Sequence, residues 1–385
     1  MLRIPFLLLL CLSLSQHVHV DAFTPIHLTT PAKRTNKQIR NFADPRKIPT
    51  IPHGGQNTNK LRSALSKNYF LVGMLTSIVL ASQFPSAGAI LAPSLSTYGV
   101  KTIFLLTGIT LKTDAIKQAL FKDYKLNSLI MFMTYVAWPG LVLLMSSFLN
   151  IPEALRNGLF ITASLPTTIN MCVILTTESN GNIASSLANA VLSNGAGIFL
   201  TPLLILWKVG KTAKIDVQSS IVRLSSKVLL PVLIGQLLRS SGAVEKFVTA
   251  NKKYCKLISE SVLIGIVFTS FCDSFGANGI FRGTGMFEVL PVLLLLMPAL
   301  HLVSFFGSFA MFKKIFKDKN RKTVVSSSFV TSHKTLAFGL PIIKTLFEGD
   351  KNLPLYSAPI MFLHPVQLLV GSLLTTRMKK WSEEE

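Results

Sequence analysis

The sequence predicts an all-α polytopic membrane protein with ten transmembrane helices. Of its 385 residues, 49% are hydrophobic and only 15% are charged, and the mean hydropathy is +0.49. A soluble domain carries about 25% charged residues. From residue 69 onward, apolar runs alternate with short polar segments, and such runs of about 20 residues can cross a bilayer as helices. The same apolar content excludes a disordered chain.

The net charge of +22 would ordinarily indicate nucleic acid or an anionic surface as the partner. Residues 1–67 contain ten of the 39 basic and two of the 17 acidic residues, so the remaining chain has a net charge of +14. In that remainder the basic residues gather in the loops between apolar runs. We therefore attribute the basic residues to a targeting segment and to the orientation of the helices in the membrane. We expect a lipid bilayer rather than nucleic acid as the partner.

The N-terminal segment has the features of a targeting sequence in two parts. Residues 1–22 combine Arg3, an apolar run and a small-residue cleavage pattern, which is typical of a signal peptide. Residues 23–67 hold nine Lys/Arg and one acidic residue, which is typical of a transit peptide. With Phe23 directly after the cleavage pattern, the whole resembles the two-part presequences of complex plastids. We expect a plastid-envelope protein; the alternative is an endomembrane or plasma-membrane protein with a basic tail.

Hydropathy places the ten spans in order along the chain. They lie near 69–87, 95–111, 127–149, 155–178, 185–208, 221–239, 256–275, 287–312, 324–347 and 354–376. Lys and Arg accumulate in loops on the inner side of a membrane. With both chain ends inside, the inner segments hold 27 Lys/Arg and the outer loops six. The loop at 208–214 is the exception, because half of those six lie in it.

Two five-helix halves, 68–210 and 211–385, then run in opposite directions, which is the inverted repeat of many secondary transporters. Spans four and nine occupy corresponding positions in the halves. Both carry Ser/Thr and a proline, Pro166 or Pro341, and both end in an acidic residue before a short Gly/Asn turn. A broken hydrophobic segment exposes backbone groups that need a partner. We therefore expect the substrate site at these two spans.

Span four brings several side-chain oxygens next to a proline. Pro166 removes a backbone donor, and Thr167, Thr168 and Asn170 follow within four positions. This arrangement could coordinate a cation or bind a substrate oxygen. The alternative is an ordinary proline kink whose free carbonyls are capped by threonine and packed by neighbouring helices.

Span five carries two amides and a hydroxyl among small residues. Asn189 and Ser193 are spaced i, i+4 and share a helix face, and Asn194 follows. Nearby glycines would let another helix approach closely. Helix packing alone would explain the glycines but not the two amides, so we expect these polar residues to bind ligand.

His333 and Lys334 lie well inside the otherwise apolar span nine. A charge in the bilayer costs about 3 kcal/mol or more unless it faces a cavity or a partner. The alternative is an interfacial position, if span nine starts later. We expect Asp273 to be a helix-end interfacial acid and His301 to be wet or interfacial. We also expect span ten to be broken at residues 364–367, a segment that begins with His364.

No enzyme motif is present: the sequence lacks H-E-x-x-H, G-x-S-x-G, P-loop and G-x-G-x-x-G patterns. We therefore expect no catalytic residues and no enzyme activity. The cysteines are scattered and have no metal-ligand spacing, so we expect packing roles and no metal site. They are Cys11, Cys172, Cys255 and Cys272.

Five runs of sequence resemble the sodium/bile acid symporter family, and most closely its member-seven branch. They are 165–176 (LPTTINMCVILT), 189–203 (NAVLSNGAGIFLTPL), 271–275 (FCDSF), 332–341 (SHKTLAFGLP) and 364–373 (HPVQLLVGSL). The resemblance extends over about 69 to 376. It implies two inverted repeats, a core domain in which discontinuous spans four and nine cross, a smaller panel domain, and alternating access between the two domains.

The resemblance also implies ion-binding positions. In sodium-coupled members, oxygens of spans four and five and an acidic residue of span nine bind two sodium ions. The matching positions of the first set in this sequence are Thr167, Thr168, Asn170, Asn189 and Ser193. At the acidic position the sequence has Ser-His-Lys instead. A cation there would compete with sodium, so Na⁺ is an open possibility rather than an expected cofactor.

The resulting hypothesis is a secondary transporter of a small organic anion in which the Lys334 ammonium stands in for a bound cation. Transport would then be independent of sodium or linked to protons through His333. The residues expected at the substrate are Lys334, His333, Asn170, Asn194 and His364. The alternative, also suggested by the resemblance, is a membrane regulator of calcium homeostasis that transports nothing.

Overall fold

Helices dominate the part of the chain that the computed structural model describes, namely residues 69–111, 123–212, 217–276, 279, 286–316 and 320–384. The expected presequence, 1–67, lies outside these residues. We number the helices within them as follows. They are α1 (Tyr69–Gln83), α2 (Ala87–Thr110), α3 (Tyr124–Ser147), α4 (Glu153–Ala163), α5 (Ile169–Glu178), α6 (Ile183–Thr212), α7 (217–240), α8 (Gly242–Ala250), α9 (Lys252–Phe275), α10 (286–316), α11 (Arg321–Ser332), α12 (Leu336–Leu346) and α13 (Leu353–Glu383).

Seven helices in the described ranges are long and apolar enough to cross a membrane: α2, α3, α6, α7, α9, α10 and α13. Their outer surfaces carry exposed apolar side chains such as Ile90, Leu237, Leu295 and Leu373. A soluble protein rarely exposes so many large apolar side chains together. The pattern therefore fits helices that face lipid.

Several long helices contain a π-turn close to a proline. In α3, α7 and α10 the π-turn ends two residues before Pro139, Pro231 and Pro298, respectively. A proline inside a helix lacks an N–H donor and clashes with the carbonyl four residues earlier. The wider π-turn moves that carbonyl away, so the helix continues through the proline with a local bend.

The segments predicted as spans four and nine each leave helical geometry in the middle. Residues 164–168 separate α4 from α5, and residues 333–335 separate α11 from α12. Pro166 explains the first interruption, because it lacks a donor and disfavours helical geometry at the residue before it. The second interruption contains neither proline nor glycine, so its local sequence does not account for it.

Both interrupted spans are followed by a left-handed turn residue. Asn180, two residues after α5 ends, has φ 51°, and Gly349, three residues after α12 ends, has φ 83°. Asparagine and glycine tolerate this conformation better than other residues. These are the Gly/Asn turns expected at corresponding positions of the two halves.

Predictions about spans two, five and ten are wrong. Span two begins at Ala87 rather than near residue 95, because α2 continues through Pro93. Span ten is not broken at 364–367, because α13 continues through Pro359 and Pro365. A proline removes one donor and bends a helix, and close packing on both sides tolerates the bend. Residues 208–212 belong to α6 rather than to a loop, and the buried side chains of Ile205 and Val209 continue its packed face.

The helices form two groups. Helices α1, α2, α7 and α9 pack on one another, and α3, α4, α5, α6, α10, α11 and α13 pack around the two interruptions. In the first group, α2 and α7 approach at Gly108 and Gly235. A Cβ atom on Gly235 would lie 2.6 Å from the Leu105 carbonyl oxygen, so only glycine permits this contact. Helix α12 contacts members of both groups.

Candidate functional site

The two interruptions lie side by side and form the centre of the candidate site. We call residues 164–168 and 333–335 the crossing segments. They pair in antiparallel fashion at Thr167 and Lys334. The Thr168 amide donates to the His333 carbonyl oxygen at 3.3 Å, and the Thr335 amide donates to the Pro166 carbonyl oxygen at 2.9 Å. Each segment thus supplies partners for backbone groups that the other leaves outside a helix.

The Lys334 side chain is buried, with 4% of the residue exposed. Its Nζ donates to two backbone carbonyl oxygens, that of Thr134 at 3.0 Å and that of Leu165 at 2.9 Å. Thr134 belongs to α3, and Leu165 to the first crossing segment. The Lys334 side-chain nitrogen therefore occupies a position formed by carbonyl oxygens from two different elements.

Gln367 of α13 holds the backbone of Lys334. Its Oε1 accepts from the Lys334 amide at 2.9 Å, and its Nε2 donates to the Lys334 carbonyl oxygen at 2.6 Å. His364 lies one turn earlier, with its Nδ1 3.1 Å from the same Nε2, and its ring packs edge-on against Phe70. His364 therefore reaches Lys334 through Gln367.

His333 is fully buried beside Lys334. Its Nδ1 lies 3.0 Å from Ser332 Oγ and 3.1 Å from the Phe329 carbonyl oxygen, and its Nε2 lies 3.2 Å from the Gln367 carbonyl oxygen. The His301 ring packs edge-on against it, with 4.8 Å between ring centroids. We expect His301 to be wet or interfacial from the sequence, and its burial contradicts an interfacial position. Its place in the middle of α10, opposite α11, explains the burial.

The first crossing segment is bonded to α6. The Thr167 amide donates to Ser193 Oγ at 3.1 Å, and Asn194 Nδ2 donates to the Thr167 carbonyl oxygen at 2.6 Å. The Thr167 hydroxyl donates to the Val330 carbonyl oxygen at 2.7 Å. The Tyr135 hydroxyl donates to the Ser193 carbonyl oxygen at 2.6 Å. Thr167, Ser193 and Asn194 are thus brought together.

The other predicted ion-binding residues lie less centrally. Asn189 is buried, and its Nδ2 donates to the Ser185 carbonyl oxygen at 3.1 Å. Its Oδ1 has no hydrogen-bond partner among the described residues. Thr168 is half-buried, and Asn170 is exposed in the first turn of α5. The structure therefore leaves the Asn189 oxygen free to accept a hydrogen bond or a cation and leaves Asn170 at the protein surface.

Sequence reasoning missed two ion pairs at the C-terminal end of α12. Lys344 Nζ lies 3.4 Å from Asp273 Oδ2 and donates to Thr269 Oγ1 at 2.9 Å. Lys227 Nζ donates to both carboxylate oxygens of Glu348 at 2.9 Å. Asp273 does lie near a helix end, but it is an ion-pair partner. Lys344 lies within an apolar run of the sequence, and that position could have indicated a buried lysine with an ion-pair partner.

The cysteines that the structure describes are free, and Cys172 Sγ donates to the Phe329 carbonyl oxygen of α11 at 3.4 Å. Cys172 and Cys272 are free and buried, and Cys255 is free and half-buried. Among the residues that the structure describes, no group of three or more His, Cys, Asp or Glu side chains could hold a metal ion.

The sequence is similar to those of known transport proteins over most of its length. Residues 68–380 match the SBF-like CPA transporter family. Sodium/bile acid cotransporter 7 of Rattus norvegicus is 30% identical over 335 residues, which cover 84% of this chain and 95% of the relative. Sodium/bile acid cotransporter 7-B of Xenopus laevis is 30% identical over 330 residues, with 83% and 94% covered. Sodium/bile acid cotransporter 7 of Danio rerio is 29% identical over 331 residues, with 83% and 96% covered.

Proposed function

Because the chain belongs to the SBF-like CPA transporter family, we propose that it is a secondary active transporter that moves a small organic anion by alternating access. The family and the seven long apolar helices identify a multi-pass integral membrane protein. The family is one of transporters, which agrees with the lack of enzyme motifs in the sequence.

The proposed architecture has ten spans in two inverted repeats, 68–210 and 211–385. Span four consists of α4 and α5, and span nine of α11 and α12. Helices α3 and α10 would correspond as spans three and eight, and each has a π-turn two residues before a proline. The group α1, α2, α7 and α9 would be the panel domain, and the helices around the crossing segments the core domain.

One observation supports the proposed mechanism most directly: the Lys334 ammonium lies between the carbonyl oxygens of Thr134 and Leu165. Backbone carbonyls are ligands that a sodium ion also takes where transmembrane helices are interrupted. A fixed ammonium there would supply the positive charge that a coupling ion brings in other transporters. We propose that transport is independent of sodium, or linked to protons through His333.

The proposed substrate residues are Lys334, His333, Asn170, Asn194 and His364. Helices α5 and α12 begin at the crossing segments, and helix N-termini attract anions, as does Lys334. Exposed Asn170 in the first turn of α5 could meet substrate on the surface of the core group. The remaining oxygens of α6, including the free Oδ1 of Asn189, are the proposed position for a cation, should one be bound.

Uptake by the purified full chain in proteoliposomes tests this proposal. The probes are labelled acetate, pyruvate and succinate, with an inward gradient of sodium, of choline or of protons. We expect uptake of at least one acid to be equal in sodium and choline. Lys334→Ala should lower uptake by about tenfold or more, since it removes a charged donor of two buried hydrogen bonds. Lys101→Ala in α2 serves as the control and should transport normally.

Strict sodium dependence that survives Lys334→Ala would overturn the cation-replacement mechanism. The regulator alternative makes a different prediction. It requires that no probe is taken up in any gradient, and that cellular calcium levels stay normal when the side chains of Thr167, Asn170 and Lys334 are removed.

We further propose the plastid envelope as the location, on the basis of the two-part N-terminal segment. Residues 1–67 fused to a fluorescent protein should carry it into the plastid of a cell with a complex plastid. Phe23→Ala should hold the fusion outside the plastid, because the aromatic residue after the cleavage pattern is lost. Fluorescence microscopy measures both. Secretion of the unmodified fusion, or its retention in the endoplasmic reticulum, would favour the endomembrane alternative.

A further inference from the structure

Basic side chains gather where α10 and α13 end and α11 begins. Lys313 lies in the last turn of α10, Arg321 is the first residue of α11, and Arg377 and Lys380 lie in the last two turns of α13. Lys313, Arg377 and Lys380 are exposed, and the Arg321 side chain is 24% exposed. We call these four residues the basic surface.

Trp381 joins the three helix ends. Lys313 Nζ lies 5.8 Å and Arg321 Cζ lies 5.3 Å from the centroid of its ring, which is within the range of a cation–π contact. Arg321 Nη1 also donates to the Trp381 carbonyl oxygen at 3.1 Å. Phe309, one turn before Lys313, packs edge-on against the ring with 4.7 Å between centroids. Contacts within the fold therefore hold two cations beside one aromatic ring.

Little counter-charge reaches the basic surface from the described residues. Arg321 Nη1 lies 3.9 Å from Glu384 Oε2, and that carboxylate is 53% exposed. Glu383 Oε1 accepts a hydrogen bond from Asn180 Nδ2 at 3.2 Å. The other three cations take part in none of the ion pairs found between described residues. Cations held close together repel one another, so an anion placed among them would be bound favourably.

Exposed apolar side chains continue the basic surface along both long helices. On α13, Leu373, Arg377 and Trp381 are spaced four residues apart and share one face, and Leu373 is 76% exposed. On α10, Phe306 lies two turns before Lys313 on the same face and is 44% exposed. Both helices are long and apolar enough to cross a membrane. The cations thus lie at the end of a surface suited to hydrocarbon.

The length of α13 places these cations at the level of lipid headgroups. From Leu353 to Leu373 the helix rises about 30 Å, at about 1.5 Å per residue. This distance equals the thickness of the hydrocarbon layer, which is about 30 Å. Arg377, Lys380 and Trp381 follow within the next turns, and tryptophan is enriched at the interface between membrane and water.

The general distribution of basic residues does not account for this arrangement. It explains why Lys and Arg lie on one side of a membrane. It requires neither that two cations share one aromatic ring nor that exposed apolar side chains continue the same helix faces. A soluble acidic partner would use the cations but not the apolar side chains. A molecule with a negative headgroup and a hydrocarbon tail uses both.

We propose that the basic surface binds the headgroup of an anionic phospholipid. The lipid phosphate pairs with Lys313 and Arg377, and an acyl chain lies along Phe306 and Leu373. Clusters of basic residues at the ends of transmembrane helices recognise such headgroups. This inference goes beyond the proposed transport, because the lipid would be bound whether or not the chain moves a substrate.

Quenching of tryptophan fluorescence by brominated lipid tests the inference on the full chain. The sequence has three tryptophans, so Trp138→Phe and Trp207→Phe leave Trp381 as the single reporter at the basic surface. The chain is reconstituted into vesicles with equal amounts of phosphatidylglycerol and phosphatidylcholine, and one or the other lipid carries bromine on its acyl chains. Bromine quenches at contact, so the two samples give the relative occupancy beside Trp381. We expect a preference for phosphatidylglycerol of about fivefold or more, the contribution of one basic residue near an anionic membrane.

Variants then connect the preference with the basic surface. Lys313→Gln and Arg377→Gln each remove one exposed charge, and each should lower the preference by about threefold or more. The double variant should show almost no preference. The matched control is Lys252→Gln with Lys253→Gln, which removes two exposed charges at the start of α9. These lysines also take part in none of the ion pairs between described residues, and the control should keep the preference of the parent.

Three results would overturn the proposal. The first is equal quenching of Trp381 by the two brominated lipids. The second is an unchanged preference in the double variant, or an equal loss in the lysine control, since either would assign the effect to general charge. The third is loss of the preference when inorganic phosphate is added, which would make a soluble anion the ligand.

A second measurement needs no substitution. The parent chain is extracted with detergent from the same vesicles without bromine, and native mass spectrometry counts the lipids that stay bound. We expect an excess of phosphatidylglycerol, and equal retention of the two lipids would also overturn the proposal. Neither measurement depends on uptake, so a chain that binds the lipid but transports nothing would contradict the proposed function and leave this inference intact.

Discussion

At the scale of single residues, Gln367 holds the backbone of Lys334, a role that its place in the sequence does not indicate. Its side-chain amide bonds both the N–H and the carbonyl of Lys334, in the way that a neighbouring strand would. Lys334 has no helical partners for these groups, because it lies between α11 and α12. Gln367 therefore fixes the backbone from which the ammonium reaches the carbonyl oxygens of Thr134 and Leu165.

Gln367→Met should consequently destabilise the protein. The substitution keeps the size of the side chain but leaves two buried backbone groups unpaired, which costs about 1–3 kcal/mol per group. At about 2–4 °C for each kcal/mol, the midpoint of thermal unfolding should fall by about 4 °C or more. Thermal unfolding in detergent, followed by intrinsic fluorescence, measures the change. Gln83→Met, at an exposed position in α1, should leave the midpoint within about 1 °C of the parent. An equal midpoint for both variants would contradict this account of Gln367.

At the scale of helices, α12 is the element that connects the two helix groups. Lys344 pairs with Asp273 of α9, and Glu348, just after α12, pairs with Lys227 of α7. Both pairs lie at the C-terminal end of α12, opposite the end at which it joins the second crossing segment. They therefore hold one end of span nine against the group that contains α7 and α9.

The two ion pairs should differ in strength. The Lys344 and Asp273 side chains are 3% and 36% exposed, whereas the Lys227 and Glu348 side chains are 11% and 42% exposed. Asp273→Asn leaves a buried ammonium without its counter-charge, and because Asp273 is itself partly exposed we expect a loss of about 1–2 kcal/mol. Glu348→Gln should cost less than about 1 kcal/mol, since solvent screens that pair. Thermal unfolding of both variants at low and high salt compares them, and equal losses would show that burial does not distinguish the pairs.

At the scale of the whole molecule, the distribution of apolar residues was the most reliable guide. Runs such as 256–275 and 354–376 predicted helices, because a chain in lipid must satisfy its backbone internally. The interruption at Pro166 was also predictable, from the missing donor. The interruption at 333–335 was not predictable from local sequence, because the partners of its backbone lie in the other crossing segment and on Gln367.

Parts of the site depend on contacts between distant residues. His301 has nothing in its immediate sequence to distinguish burial from an interfacial position, and only the packing of α10 on α11 brings it to His333. The pairing of Lys344 with Asp273 likewise joins two helices that are distant in sequence. The hydrogen bonds of Lys334 Nζ require α3 and the first crossing segment together. The sequence identifies the polar residues of the predicted spans, but it does not show how these residues are arranged in space.

The pairing of the crossing segments has a consequence for the biogenesis of the protein. The Thr168 amide finds its acceptor on His333, and the Thr335 amide finds its acceptor on Pro166. When residues 164–168 leave the ribosome, His333 and Thr335, their partners in these two bonds, have not yet been synthesised. Their exposed backbone must therefore stay hydrated, or shielded by an insertion factor, until span nine arrives. The first half of the chain is thus a translation intermediate that the second half completes, rather than a membrane domain able to mature alone.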